Sequence, residues 1–480
     1  MKNRTDRIFF YLSLLILLTG VMLVCSVGTS PLYPHNFSYD SALFRFFGKE
    51  ILKGKTPYLD IWDHKGPVLY FIQAVGALGG CTNKGTNVLF LMQLLSMYLS
   101  FFFLFKTYLL LTAEKSSLWK FTAITICSLS VLGLTIESGN LSEEWCLPMT
   151  CCSFYLIAAY AQQSAKSHEH PPIHSFIHGI GLGMMTMIRP NNALPVCAGL
   201  FVIGLDLIFN KMWKNILKNV LTGLLGICCI WLPVILWFYA RGALNEMIYA
   251  AFTFNLNYSA YRAHTHYTGT AFITRYLPIL LSALSLAVFW LKKRTFQLFD
   301  GIMAAILTIS AWMLLTTNVY LHYFTIFIPV LFLVFACCSN RYNFPGAIIL
   351  LILCVWFGWQ HLQRIPDLIS LHRQPPMFTE TEKIPVGERN AVIAVNMPPE
   401  LYLNYGLEPV SRFCAYQHVH FGTAPELKLE FLDTLEQNPP NWILAFCSGE
   451  THIPEVQELI DRDYIYRFDQ SDICYYQHKQ

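Results

Sequence analysis

Tyr39-Asp40-Ser41-Ala42-Leu43-Phe44-Arg45-Phe46-Phe47, followed by Lys53-Gly54-Lys55-Thr56-Pro57-Tyr58-Leu59-Asp60-Ile61-Trp62-Asp63-His64-Lys65-Gly66-Pro67, is the stretch on which the reading of this chain turns. It comes directly after a first apolar run, Ile8 to Val27, and gathers Asp40, Asp60, Asp63, His64 and Lys65 between apolar segments. A loop at a membrane face that holds carboxylates and a lysine suits an anionic, membrane-bound substrate.

The rest of the chain supplies the membrane. Of 480 residues, 54% are hydrophobic and 13% charged, whereas a soluble domain carries about 25% charge. The deficit over this length predicts a polytopic α-helical membrane protein. The net charge of +3 is too small and too dispersed for a nucleic-acid partner. Most of the 15 cysteines lie in apolar runs, where they serve as small hydrophobes. Cys414, Cys447 and Cys474 fall in the polar C-terminal region, which leaves room for one disulfide and requires none. Lys2, Arg4 and Arg7 precede an apolar run long enough to span and without a small-residue cleavage site, so the first helix reads as uncleaved.

With about 20 apolar residues per crossing, about eleven spans are expected, near 8–28, 86–106, 119–136, 145–162, 174–188, 193–210, 219–240, 272–291, 300–316, 322–338 and 344–361. Lys and Arg in alternate loops then place the N-terminus in the cytoplasm and the opposite loops outside. This parity holds if Val68–Gly79, short and bounded by glycine, lies along the membrane surface. Ser41–Leu52 has helical spacing too, with Leu43, Phe46, Phe47 and Ile51 on one side. A first external loop, 29–85, is therefore expected to hold two interfacial helices with the charged turn between them. Beyond residue 363 the composition becomes soluble-like. Residues 364–480 are read as a small extracytoplasmic α/β domain, with strands at Ala391–Asn396 and Trp442–Phe446, helices at Pro425–Gln437 and Pro454–Asp463, and a strand pair over Tyr464–Gln477.

Two roles fit Asp40: a general base that accepts a proton from an attacking hydroxyl or amine, or an N-cap to the helix that follows. Lys65, before a proline-started helix, can pair with a lipid phosphate or merely meet headgroups. Asp60, Asp63, His64, Glu143 and Glu144 are acceptor-binding or metal candidates, and no cofactor beyond a divalent metal is suggested. Glu143 and Glu144, at the edge of a span, are either employed or the start of a capped helix. Arg189 can hold phosphate bidentately or mark the membrane boundary. Arg262 sits in an external loop crowded with Tyr258, Tyr261, His264, His266 and Tyr267, and His322-Tyr323 begin a span on the same side.

Together these features resemble the GT-C superfamily of membrane glycosyltransferases, in the bacterial branch related to protein O-mannosyltransferases and the lipid A aminoarabinose transferase. The matching positions are Asp40, His64-Lys65-Gly66-Pro67, Glu143, Arg189-Pro190 and His322-Tyr323-Phe324, with the first-loop pair the most specific. The resemblance implies a hexosyl- or pentosyltransferase that takes a sugar from a polyprenyl-phosphate carrier and delivers it to a lipid, glycan or protein acceptor on the outer face of the inner membrane. It implies Asp40 as the acceptor-activating base and Lys65 on the carrier phosphate, with Arg189, Arg262, His322 and Tyr323 as further donor-site residues. It also suggests inversion at the sugar. The family's Lys-Pro-Pro reads Lys-Gly-Pro here, and Ser41 stands where many relatives carry a second acid after the base. A flippase or transporter for lipid-linked glycans, or an O-antigen polymerase or ligase, is the competing reading. Transporters place ionisable groups near the midplane and show internal repeats, whereas here the charges gather at one face.

Overall fold

A computed structural model describes residues 4–33, 38–80, 87–112, 118–164, 167–261, 276–277, 279–284, 286–287, 290, 297–316, 320–341, 345–373, 378–447 and 453–479. The described helices run α1 (Arg4–Cys25), α2 (Tyr39–Leu52), α3 (Pro67–Ala77), α4 (Asn87–Thr112), α5 (Leu118–Thr135) and α6 (Ser142–Gln163). They continue with α7 (Pro172–Thr186), α8 (Leu194–Phe209), α9 (Trp213–Ala240), α10 (Leu244–Ile248) and α11 (Phe254–Tyr261). After these come α12 (Leu298–Thr316), α13 (Phe327–Arg341) and α14 (Pro345–Arg373). The C-terminal region adds β1 (Val392–Ala394), α15 (Glu400–Tyr405), α16 (Gln417–Thr423), α17 (Glu426–Gln437), β2 (Trp442–Phe446), α18 (Pro454–Asp463), β3 (Tyr464–Gln470) and β4 (Ile473–His478).

By length and composition, four described segments can cross a membrane: Val88–Leu111, Pro190–Phe209, Trp213–Ala240 and Leu298–Leu315. The protein is a polytopic, mostly helical integral membrane protein with a small C-terminal sheet. The span expected near 272–291 lies largely outside the described residues. The 11 residues of α3 rise only about 16 Å, well short of the roughly 30 Å of hydrocarbon.

The chain forms two compact units, neither continuous in sequence. The first comprises residues 1–26, 91–234 and 263–369. Its helices approach closely where glycines line their contacts. A Cβ on Gly179 of α7 would lie 2.1 Å from the Gly223 carbonyl oxygen of α9, and one on Gly226 2.3 Å from that of Phe176. Small residues permit this approach in a medium where helices gain nothing from hiding apolar surface.

The second unit comprises residues 27–90, 235–262 and 370–480. Its inner helix is α2, whose Ala42, Leu43, Phe44, Phe46 and Phe47 are all buried. This is more than the one-sided apolar pattern predicts, because α3 and α15 cover different sides. Phe47 stacks on Tyr70 at 4.1 Å between ring centroids, and Phe46 meets Tyr402 at 5.4 Å. Helices α2 and α3 touch at Gly48, where a Cβ would stand 2.5 Å from the Gln73 carbonyl carbon. Backbone cannot yield as a side chain does. Gly48→Ala is therefore expected to force the pair apart and to destabilise the protein by about 1–3 kcal/mol, read as a lowered thermal midpoint in detergent; an unchanged midpoint would refute the tight contact.

The sheet runs β1-β2-β4-β3, with β1 parallel to β2 and the other pairs antiparallel. Its strands fall where the apolar runs predict. Ser471 and Asp472 turn β3 into β4 with φ of 49° and 68°, the left-handed pair that a two-residue hairpin favours. Cys447 and Cys474 form a disulfide between the end of β2 and β4. Val456, Leu459 and Ile460 bury one stripe of α18. Arg412 ties several segments together: it donates to the Tyr58 carbonyl (2.6 Å), to Glu246 (3.1 Å) and to Glu430 (2.6 Å), and it lies over the Trp62 ring.

Candidate active site

Asp40 sits in the first turn of α2, but it is not the cap. Ser38 holds that place in extended conformation, its hydroxyl accepting from the Ser41 amide. The Asp40 carboxylate is thus left for other work, and its Oδ1 accepts a 2.9 Å hydrogen bond from the Tyr416 hydroxyl. Tyr416 precedes α16 with φ of 55°, a left-handed position that costs a non-glycine residue stability and that the surrounding contacts must hold.

A second acid stands near Asp40, though not beside it in sequence. Glu400, the first residue of α15, is buried, and its Oε2 has no hydrogen-bond partner. Burial pushes its carboxyl up to about 8; backbone hydrogen bonding opposes the rise and the charge of Asp40 adds to it. Glu400 is therefore protonated at neutral pH. Folded Glu400 holds its proton up to about pH 8 while the unfolded carboxyl releases it near pH 4–5, so the native state binds more protons in that window and stability falls as pH rises through it. Glu400→Gln, which cannot ionise, should remove this fall. The gap between variant and wild type is expected to widen with pH by up to about 1.4 kcal/mol per pH unit. Parallel midpoint-versus-pH curves for the two proteins would show the assignment to be wrong.

From Tyr416 the polar network continues to the charged turn. The Tyr416 and His420 rings lie 6.5 Å apart, those of His420 and His64 5.9 Å, and His420 Nε2 is 4.0 Å from Asp63 Oδ1. Asp63 accepts from the Tyr70 hydroxyl at Oδ2 (2.7 Å), and its Oδ1 faces His64 Nδ1 at 3.1 Å. Lys65 Nζ donates to His64 Nε2 at 2.9 Å. An ammonium only donates, so Nε2 must accept and the His64 proton sits on Nδ1, toward Asp63. Burial alone would raise the Asp63 carboxyl, but its interactions with His64, Lys65 and His420 outweigh it and hold Asp63 well below the usual carboxylate range. His420 is pushed down to about 3 by burial first and by its neighbour His64, against the pull of Asp63. The Tyr58 hydroxyl fixes the turn by donating to the Lys65 carbonyl (2.6 Å), and Asn255 of α11 donates to that of His64 (2.7 Å). Tyr258 lays its ring 4.8 Å from His64.

Asp60 serves the turn differently: it is exposed and accepts from the Thr56 amide (2.6 Å), closing the loop. Arg262, with His264, His266 and Tyr267, lies outside the described residues.

The first unit has its own polar group. Glu143, buried at the start of α6, pairs with Arg189 and accepts from Ser142 (2.9 Å). The Arg189 guanidinium lies 4.1 Å from the Tyr323 ring centroid, and the His322 ring stands 4.7 Å from that of Tyr323. His322 Nδ1 is 2.8 Å from Glu137 Oε2. Glu143, Arg189, Asn192, Tyr323 and Phe327 line a small cavity. Glu144 is turned to structure: it accepts from the Leu141 amide (3.1 Å), closing the α6 start, and from Gln93.

The charged turn of 60–65 and the helix start at Asp40 are legible in sequence. Tyr416, His420 and Glu400 are not. Their local trace is a run of aromatics and histidines, Tyr416-Gln417-His418-Val419-His420-Phe421, whose purpose shows only when the fold brings it to Asp40 and Asp63.

No protein-family model matches the chain, and no curated protein matches its sequence. Solved structures do. ArnT from Cupriavidus metallidurans bound to undecaprenyl phosphate aligns over 99% of this chain and 98% of its own, with 11% identity and a TM-score of 0.59. The apo state of that protein aligns over 98% of both chains, with 11% identity and a TM-score of 0.58. The Archaeoglobus fulgidus oligosaccharyltransferase tethered with an acceptor peptide aligns over 98% of this chain and 74% of its own, with 12% identity and a TM-score of 0.50. At these identities the likeness is one of architecture: along nearly its whole length the chain shares the fold of these solved structures.

Proposed function

We propose that the protein is a glycosyltransferase that moves a hexosyl or pentosyl group from a polyprenyl-phosphate carrier to a lipid, glycan or protein acceptor. The N-terminus then lies in the cytoplasm of a cell with this protein in its inner membrane, and the chemistry takes place on the extracytoplasmic face. The observation that carries the reading is Asp40: a carboxylate at a helix start that does no capping and has one oxygen held by Tyr416. That leaves the second oxygen to act as the base. The acceptor hydroxyl attacks C1, Asp40 takes its proton, and the C1–O bond to the carrier breaks as the phosphate leaves with the electron pair. A cation near the leaving oxygen lowers that barrier, and Lys65, one residue before the α3 N-cap, has the charge and the helix start for it.

The test is transfer of labelled sugar from a panel of polyprenyl-phosphate donors by purified full-length protein. Inverted product with wild type and none without protein is the expected result. Carrier binding with no transfer to any lipid, glycan or peptide acceptor would move the reading to a flippase.

A further inference from the structure

The charged turn and the C-terminal segment meet in a cluster that the transfer reaction does not require. Asp63, His64 and His420 each present one ligand atom, and these atoms lie within 4.8 Å of one another. All three residues are buried, with relative exposures of 2%, 7% and 0%. We propose that Asp63, His64 and His420 form a binding site for a divalent cation of the zinc class.

Four observations support it. First, the spacing is near that of a coordination shell. Ligand atoms about 2.0–2.2 Å from a tetrahedral ion stand roughly 3.3–3.6 Å apart; Asp63 Oδ1 is 3.1 Å from His64 Nδ1 and 4.0 Å from His420 Nε2. A small turn of the His420 ring closes the set.

Second, His420 is fully enclosed, and neither of its ring nitrogens has a hydrogen-bond partner. An imidazole left so costs about 1–3 kcal/mol, and an ion at Nε2 gives it a purpose. Third, Asp63 is already oriented as a ligand. Tyr70 holds Oδ2, so Oδ1 faces both imidazoles, an outer contact of the kind that fixes metal-binding carboxylates. Fourth, the walls are apolar: the rings of Trp62, Phe254 and Tyr416 stand 6.0–6.5 Å from that of His420.

Two imidazoles and one carboxylate favour borderline ions over Mg2+ or Ca2+, which prefer oxygen shells. Three protein ligands also leave a coordination position open. Loading has one consequence for the neighbouring cation. With an ion on Nδ1, the His64 proton moves to Nε2, where Lys65 now donates. Two donors cannot face each other, so the half-buried Lys65 ammonium swings away from the ring. The site itself does not depend on the glycosyltransferase reading.

Full-length protein in detergent, stripped with chelator, would be titrated with Co2+ and then Zn2+. Wild type should bind one equivalent of Co2+ and show the visible ligand-field bands of a low-coordinate centre. The near-ultraviolet charge-transfer bands of thiolate ligands should be missing, which separates this site from the cysteines, and Zn2+ should erase the spectrum. Tyr70→Phe, which keeps all three ligands, should weaken binding about 10- to 100-fold, and His420→Gln should abolish the spectrum. Absence of those bands in wild type, or bands that persist in His420→Gln, would overturn the assignment. Should His420→Gln not fold, the wild-type spectrum and the Tyr70→Phe affinity decide.

Discussion

Asp40→Asn is expected to cut sugar transfer roughly a hundred- to ten-thousand-fold, the usual contribution of a positioned general base, while the protein stays folded and inserted. The substitution is isosteric. The amide oxygen can still accept from the Tyr416 hydroxyl, and Ser38 still caps α2. What is lost is the capacity to take a proton. The loss should fall on kcat and kcat/KM together, since the base acts as the acceptor attacks, and donor affinity should move little. A side effect checks the geometry independently of activity: without the Asp40 charge, Glu400 loses one of the influences that raise its carboxyl. The measurement is initial rate at saturating donor, beside a melting curve. Turnover within a few-fold of wild type would remove Asp40 from the mechanism.

Lys65→Ala is expected to act on the other half of the reaction. A hydrogen bond from a cation to a charged partner is worth about 1.5–3 kcal/mol, so affinity for the polyprenyl-phosphate donor should fall about 10- to 150-fold. Gly66 caps α3 in extended conformation and Pro67 follows at the first helical position, so amide groups and the positive end of the helix lie next to the lysine. These remain in the variant, and residual binding should persist. Lys65→Arg should restore part of the affinity, which a merely structural role through His64 would not predict. Direct titration with polyprenyl phosphate reads the effect, and an affinity unchanged in Lys65→Ala would end the phosphate assignment.

Where local pattern carries the information, the sequence could be read closely. The apolar run of α4, the proline start of α3, the continuous apolar run at Trp442–Phe446 and the stripe of α18 all appear where the sequence pattern places them. The bare acid at Asp40 and the compact turn at Asp63-His64-Lys65 were legible for the same reason: unusual side chains stand beside recognisable helix starts. Whether Asp40 caps its helix was not, because Ser38 and Asp40 are both good capping residues and only backbone geometry separates them. Nor was the second acid. Ser41 stands where it was expected in sequence, and Glu400, far along the chain, is the carboxyl whose ionisation Asp40 disturbs. Glu400, Tyr416 and His420 reach the site by packing across hundreds of residues, and hydrophobic period says nothing about which distant segments meet. The pairing of Cys447 with Cys474 was one of several open outcomes for the same reason.

Synthesis order gives the discontinuous second unit a further meaning. Asp40 emerges early and Tyr416 is 376 residues behind it. At about 5–20 residues per second, the first loop waits on the order of a minute for the strand of chain that completes it. During that wait Phe46, whose partner Tyr402 is still unmade, lacks part of its cover, and Asp40 lacks the hydroxyl from which it accepts. A ribosome that stops before residue 416 therefore leaves a membrane-inserted product without the assembled site. Truncated chains would lack the Asp40–Tyr416 pairing and would leave Phe46 without its Tyr402 partner.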